Sequence, residues 1–534
     1  MAELSIVEPP VRGLPEWVEP TFRFTPGMDP LGLRALTAAR IVAPLVPGIL
    51  ALSERARYLS VFAWLLHRYS EQRRPPTMAA LSSYLLRREY EFALAVRLCP
   101  RHCGSSPVGT DRARPAVARH ETPYQRNESV KSALGGYGLY YRSPMRVLEL
   151  VRPPGTILGD EAIQIDVLNR GNPRALALVA AFDAAVRDTA YVREYIDSDD
   201  PIPEEVLVEY GARACLCRLD EFADERELLR AALLEPSEGQ PADDVRGRRE
   251  ALALLLDLAD GAPVRSDAEL RWAVWAAFEG AQGRTAAHRR ALTRWAALSA
   301  LNFVQDGINV LWIDAARRLR EQARDGALAW PEVEAALRAA ADVGSLEVLG
   351  SSVACRADLA ASEFAGEVAA VARQHALREV DLWAVEKPQQ AIRGLVLILA
   401  TLARIPTDGD GDWQRIAAVE GEWQPGLRRV AAEVKARIDE ECSVGELLAW
   451  LTEHLVLRAH EANAYSKLPD FTFRWRSEAG RLRLYDHPAD WDVLADLRTS
   501  AMSGLLADLG FGERTADGLR VTADGVALVA EVFG

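Results

Sequence analysis

The sequence predicts a mainly α fold: an irregular multi-helix body with a small β-hairpin and a winged-helix-like C-terminal end. Three observations carry this. From Pro173 to about Ser466, apolar residues recur at three- and four-residue steps in one segment after another. At Phe471 the period drops to two, in FTFRWR and RLRLY on either side of a turn at Ser477 to Gly480. Last come a helix from Leu494 to Leu509, a turn at Gly510-Phe511-Gly512, a short hairpin through Asp517-Gly518, and a final helix capped by Thr522. That is the order of the C-terminal half of a winged helix.

Composition sets the frame for the elements. The chain has 534 residues, 49% of them hydrophobic and 26% charged, enough for several cores. The formal net charge of -14 argues against a protein that coats nucleic acid or anionic membrane over its whole surface. Residues 1–150 nevertheless hold 20 Lys+Arg against 13 Asp+Glu, so an anionic partner is expected at that end. Only four of the cations are Lys (Lys131, Lys387, Lys435 and Lys467). Six cysteines are too few for a disulfide framework in a chain this long, and neither a signal sequence nor an apolar run of about 18 residues occurs. A cytoplasmic protein without a membrane span is expected.

Prolines at 9, 10, 15, 20, 26 and 30 make residues 1–30 an extended arm. Residues 31–155 form a basic N-terminal helical domain. Its first helix, with Leu33, Leu36, Ile41 and Leu45 apolar, stops at Pro47-Gly48. Ser53 is the cap expected for the next, which carries Tyr58, Phe62, Leu65 and Leu66 on one face. A third helix runs from Thr77 to about Leu98. In NESVKSALGGYGLYYRSPM, Gly135-Gly136 is expected to stop a short helical turn, Gly138 to keep the tyrosines out of a helix, and Ser143 to cap the helix that follows. Residues 156–406 are a helical body, opened by a lone strand near Ile163, Ile165 and Val167. Within it helices are expected over 174–196, 203–219, 220–235, 242–260, 266–281, 284–324, 331–342, 362–376 and 388–405. A helical segment at 407–466 adds 413–439 and 444–465, and residues 467–534 form the β-hairpin plus winged-helix-like domain. Asp220, Ser266 and Ser443 are the expected caps, the last two with Glu three residues on. Trp272, Trp275, Trp295, Trp312, Trp383 and Trp450 are single large side chains for packing.

Arginines beside tyrosines and glycines can meet phosphate and stack on bases, which makes Arg55, Arg57, Lys131, Tyr137, Arg142 and Arg146 candidates for a nucleic-acid or partner surface. Arg474 and Arg476, alternating with Phe471, Phe473 and Trp475, extend it to the hairpin. Ion pairing with the acidic body is the competing use of Arg55 and Arg57. Cys99, His102, Cys103 and His120 share a Pro/Gly-rich loop and are of metal-binding types. Their spacing lacks a second paired half, so no metal and no cofactor is expected. His454 and His460-Glu461 do not make a zinc-protease motif, and no GxSxG, GxGxxG or P-loop occurs. Glu433-Val434-Lys435 matches only the end of a nuclease motif.

The segment PGILALSERARYLSVFAWLL, from Pro47 to Leu66, together with GGYGLYYRSPM and FTFRW, resembles a poorly characterised family of large bacterial proteins. In it a Pro-Gly turn precedes an Arg-Ala-Arg-Tyr helix rich in aromatics. The resemblance implies a bacterial protein associated with mobile or phage-defence gene clusters, and it carries over no catalytic residue. The expected function is a non-catalytic scaffold that contacts DNA or partner proteins in a multi-component system. A metal-dependent nuclease, or another enzyme of unrecognised type, is the alternative.

Overall fold

The structure, a computed structural model, describes residues 29–159, 161–281, 283–323, 326–339, 390–406, 411–421, 424–440, 442–485 and 494–534. Residues 1–28 of the expected arm, the helix at 362–376, Trp383 and most of the acidic segment near 407–410 lie outside them. The fold is mainly helical with small antiparallel sheets. No helix among the described residues is long and apolar enough to cross a membrane.

Packing divides the chain differently from the expected serial domains. One unit takes Met1–Val42 and Thr293–Asp496, the other Ala43–Leu292 and Leu497–Gly534. Both are discontinuous in sequence, so the helix–hairpin–helix end belongs with the basic N-terminal segment and the 475–484 hairpin does not.

In the first unit, helices Gln390–Leu402, Leu427–Asp439, Val444–Thr452 and Arg458–Ser466 accompany the later part of Ala286–Gln322. The segment expected as one helix over 413–439 is two, Gly411–Ala417 and Leu427–Asp439, because Pro425-Gly426 lies between them. Ser443 and Glu446 close the expected capping box. The expected hairpin is present as Trp475–Glu478 paired with Arg481–Leu484, and Ala327–Ala329 adds a third strand beside the latter. Phe471, Phe473 and Trp475 are buried as expected, but so are Thr472 and Arg474. The expected arginine face is therefore split: Arg474 is buried, its backbone N–H tied into the core by His460, while Arg476 stays partly exposed beside Glu478.

In the second unit, Arg57–Glu71 is a central helix with 11 buried residues, packed against Pro173–Val186. Ser53 does not cap it. Its hydroxyl instead closes a turn on the Leu50 N–H and carbonyl, and the helix begins four residues later. Gly135-Gly136 does not stop a helix either. The chain turns helical there, and Tyr137–Tyr141 form a π turn leading into Arg142–Val147. Glu89 explains this, since its buried carboxylate accepts the Gly136 and Tyr137 N–H groups and supplies the N-terminal cap that Ser143 was expected to give. The lone strand near Ile163 is replaced by two antiparallel pairs, Val151–Arg152 with Val167–Leu168 and Ile157–Leu158 with Glu161–Ala162. Asp220 caps nothing, as it lies inside a 3-10 turn, Leu216–Glu221. Ser266 and Thr522 cap as expected. The C-terminal end is the helix Thr499–Asp508, the hairpin Gly512–Thr515 with Gly518–Val521, and the helix Ala523–Phe533 packed on Ala242–Gly261.

Candidate metal centre

Two helices of the second unit, Met78–Arg97 and Glu204–Ala214, lie side by side and end at the same place. Gly211 permits the approach: a Cβ there would stand 2.2 Å from the Ala95 carbonyl oxygen. Each helix runs out into a cysteine-bearing loop, Cys99 to Cys103 in one and Cys215 to Cys217 in the other. The four sulfurs converge, all within 4.8 Å of one another.

The neighbouring Sγ–Sγ distances are 3.5 Å for Cys215–Cys217, 3.6 Å for Cys103–Cys215 and 3.7 Å for Cys99–Cys217. A tetrahedral zinc with Zn–S bonds of about 2.3 Å requires sulfurs about 3.8 Å apart, so the set fits one metal ion. A disulfide would bring two sulfurs to about 2 Å, and all four are free thiols. An iron–sulfur cluster, whose cysteines ligate different irons, would hold them farther apart.

Local backbone favours thiolate. The Ser105 N–H and hydroxyl both bond Cys103, and the Cys217 N–H bonds Cys215, so each pair has an amide two residues on from a ligand pointing at its sulfur. Gly104, at φ +68°, makes the first of these turns. Burial works the other way. It pushes the Cys215 thiol well up and Cys217 up to about 12, whereas the bonds from Ser105 and the neighbouring thiols outweigh burial at Cys103 and bring it to about 7. Burial thus opposes ionisation of Cys215 and Cys217, and a divalent cation is what would offset it.

The outer ring consists of arginines. Arg57 is fully buried, its Nη1 donates to the Cys215 carbonyl at 2.7 Å, and its other face pairs with Glu225 at 3.0 Å between Phe182 and Phe222. Arg101 donates to the Cys217 carbonyl at 3.0 Å and pairs with Asp220. Arg55 donates to Ser105 Oγ at 3.1 Å and forms an ion pair with Asp508. Tyr58 completes the set by accepting the Val108 N–H at 2.9 Å. Four thiolates around a divalent cation carry a net charge of two minus, and the three guanidiniums, each also paired with a carboxylate, place N–H donors on the carbonyls and the hydroxyl beside the ligands.

The expected site residues are thereby located. Arg55 and Arg57 surround the cysteines, and since Arg57 is 0% exposed, no continuous positive surface runs through it. Tyr137 is buried, with its ring against Phe62. Arg142 and Arg146 both pair with the buried Asp166, at 2.7 and 2.6 Å, and Lys131 is exposed. In the first unit, Arg474 is buried with its Nη1 donating to the Thr472 carbonyl, and Arg476 pairs with Glu478. His102 and His120 are exposed and stand outside the cluster. The second pair that the Cys99–Cys103 loop lacks in sequence is Cys215 and Cys217, brought to it by the neighbouring helix.

No family model, curated protein or solved structure matches this chain.

Proposed function

We propose that the chain is a non-catalytic helical scaffold, stapled by one zinc ion on Cys99, Cys103, Cys215 and Cys217, that engages a protein partner through its winged-helix-like C-terminal end. The observation that carries this is the convergence of four sulfurs from two sequence-remote loops, all within 4.8 Å of one another. A four-thiolate set fills the coordination sphere, which is the pattern of a structural ion rather than of a catalytic one with a position left for water. Residues 497–534 hold three arginines against five acidic side chains, which suits a protein partner better than DNA. The nuclease alternative draws on Glu433 and Lys435, which support it little, since each is paired four residues along its own helix, with Arg429 and Asp439. A place in a phage-defence cluster rests on the resemblance of Pro47 to Leu66.

The test is metal analysis of the purified full chain, followed by exchange into Co2+. About one equivalent of zinc and a thiolate-to-cobalt charge-transfer band, both lost in Cys215→Ser, are expected. Six titratable thiols in the full chain and no bound metal would overturn the staple. Salt-dependent DNA binding would replace the protein partner with DNA, and DNA cleavage in Mg2+ would overturn the scaffold.

A further inference from the structure

We infer that Arg55 is a positioning residue of the metal centre, and that metal loading fastens the C-terminal helix Thr499–Asp508 to its unit. This rests on the zinc reading above and concerns what the ion controls.

Arg55 stands between two parts of the unit. Its Nη1 reaches Ser105 Oγ at 3.1 Å, and the same oxygen lies 3.2 Å from Cys103 Sγ. Its Nε and Nη2 grip the Asp508 carboxylate at 3.0–3.1 Å, and the Ala56 N–H adds a third bond to Asp508 at 2.9 Å. Asp508 is the last residue of its helix, where the backbone carbonyls make a negative charge unfavourable. Its side chain is only 11% exposed, so Arg55 and the Ala56 N–H are what compensate it. The same helix also packs on the Leu216–Glu221 turn that carries Cys217. Both ligand-bearing loops therefore meet Thr499–Asp508, one directly and one through Arg55.

With the ion bound, Cys103 is fixed by coordination together with the three other sulfurs, and the Ser105 turn that contacts it is fixed with it. Arg55 is then held from both sides. Without the ion, nothing holds Cys103 to the sulfurs of the other loop, and the Ser105 turn beside it is no longer fixed. Arg55 keeps Asp508 but loses its second anchor, and the helix is held less firmly. Linkage makes the effect reciprocal: weakening the Asp508 end must weaken the metal by the same factor.

Amide hydrogen exchange on the full chain, zinc-loaded and chelated, reads one direction. Faster exchange of residues 499–508 on chelation is expected. Competition with a chromogenic chelator reads the other, with zinc affinity falling about 10-fold or more in Ser105→Ala and Asp508→Asn, and less in Arg55→Lys, which keeps a charge but not the bridge. Circular dichroism identifies any variant that fails to fold, and Ser105→Ala, a loop change, is the variant least exposed to that. Unchanged exchange of 499–508 after the zinc has left would overturn the inference, as would wild-type zinc affinity in folded Asp508→Asn. A wild-type chain that binds no metal would overturn the zinc reading itself and the inference with it, a result that metal analysis separates from the other two.

Discussion

His460 in one unit and Cys215 in the other are both fully buried and both join segments far apart in sequence, by opposite chemistry. His460 works as a neutral ring: Nδ1 donates to the Pro30 carbonyl at 3.1 Å, Nε2 accepts the Arg474 N–H at 2.8 Å, and Trp312 and Trp475 pack on it. Burial, with Arg474 and Lys467 nearby, pushes its imidazole down to about 3 despite the pull of the Pro30 carbonyl. Cys215 stands in a charged setting, with Arg57 on its carbonyl and three other thiols around it. A neutral bridge needs two partners and a dry pocket. A thiolate bridge needs a cation and an arginine shell, and it is complete only when the whole set is present.

Breaking the charged side should cost most. Arg57→Leu leaves Glu225 buried without its partner and removes the donor to Cys215, so urea denaturation should show a loss of about 3–5 kcal/mol. Converting Glu225 to Leu as well should recover much of that loss but not the zinc affinity. Full recovery of both would mean that Arg57 serves only its ion pair.

The neutral side should yield next. His460→Phe removes the acceptor of the Arg474 N–H and leaves the Pro30 carbonyl with Asn463 as its remaining donor, a loss of about 1–3 kcal/mol. The comparison sharpens with pH. The folded-state pKa of His460 is depressed, so its contribution is intact above the ordinary value near 6.5 and erodes as pH falls toward about 3, because the unfolded chain takes up the proton first. Wild-type stability should fall more steeply than that of His460→Gln between about pH 6.5 and 4. Parallel curves would show that His460 titrates normally.

The smallest effect gives the scale of an ordinary local contact. Ser443→Ala removes the hydroxyl of the capping box with Glu446, which should lower stability by about 1 kcal/mol without touching either bridge. A loss comparable to that of Arg57→Leu would mean that the two bridges are not special.

The sequence carries local features well and remote partnerships poorly. The Ser443 box, the Ser266 and Thr522 caps, the FTFRWR hairpin and the final helix–hairpin–helix are each written within a few residues, and each is found. The loop with Cys99 and Cys103 is equally visible. Its partners are not, because Cys215 and Cys217 lie more than 100 residues away in a stretch that reads as the interior of a helix over 203–219. That helix ends at Ala214, where Cys215 leaves the helical conformation at ψ 144°. The local traces are two, the Cys-x-Cys spacing itself and the small Gly211 one turn earlier. The Arg-Ala-Arg-Tyr segment shows the same limit. Its side chains were legible as important, yet Glu225, Cys215 and Asp508 could not be read as their partners from any periodicity.

Arg55 and Asp508 are 453 positions apart, and that distance is also an interval of time. At roughly 5–20 residues per second, a ribosome makes the aspartate roughly 20–90 s after the arginine. Both cysteine pairs have been made long before then. On the zinc reading, the order of synthesis thus allows the metal to be loaded into a nascent unit before Thr499–Asp508 exists, so that a chain short of zinc would meet that helix with its docking site unprepared.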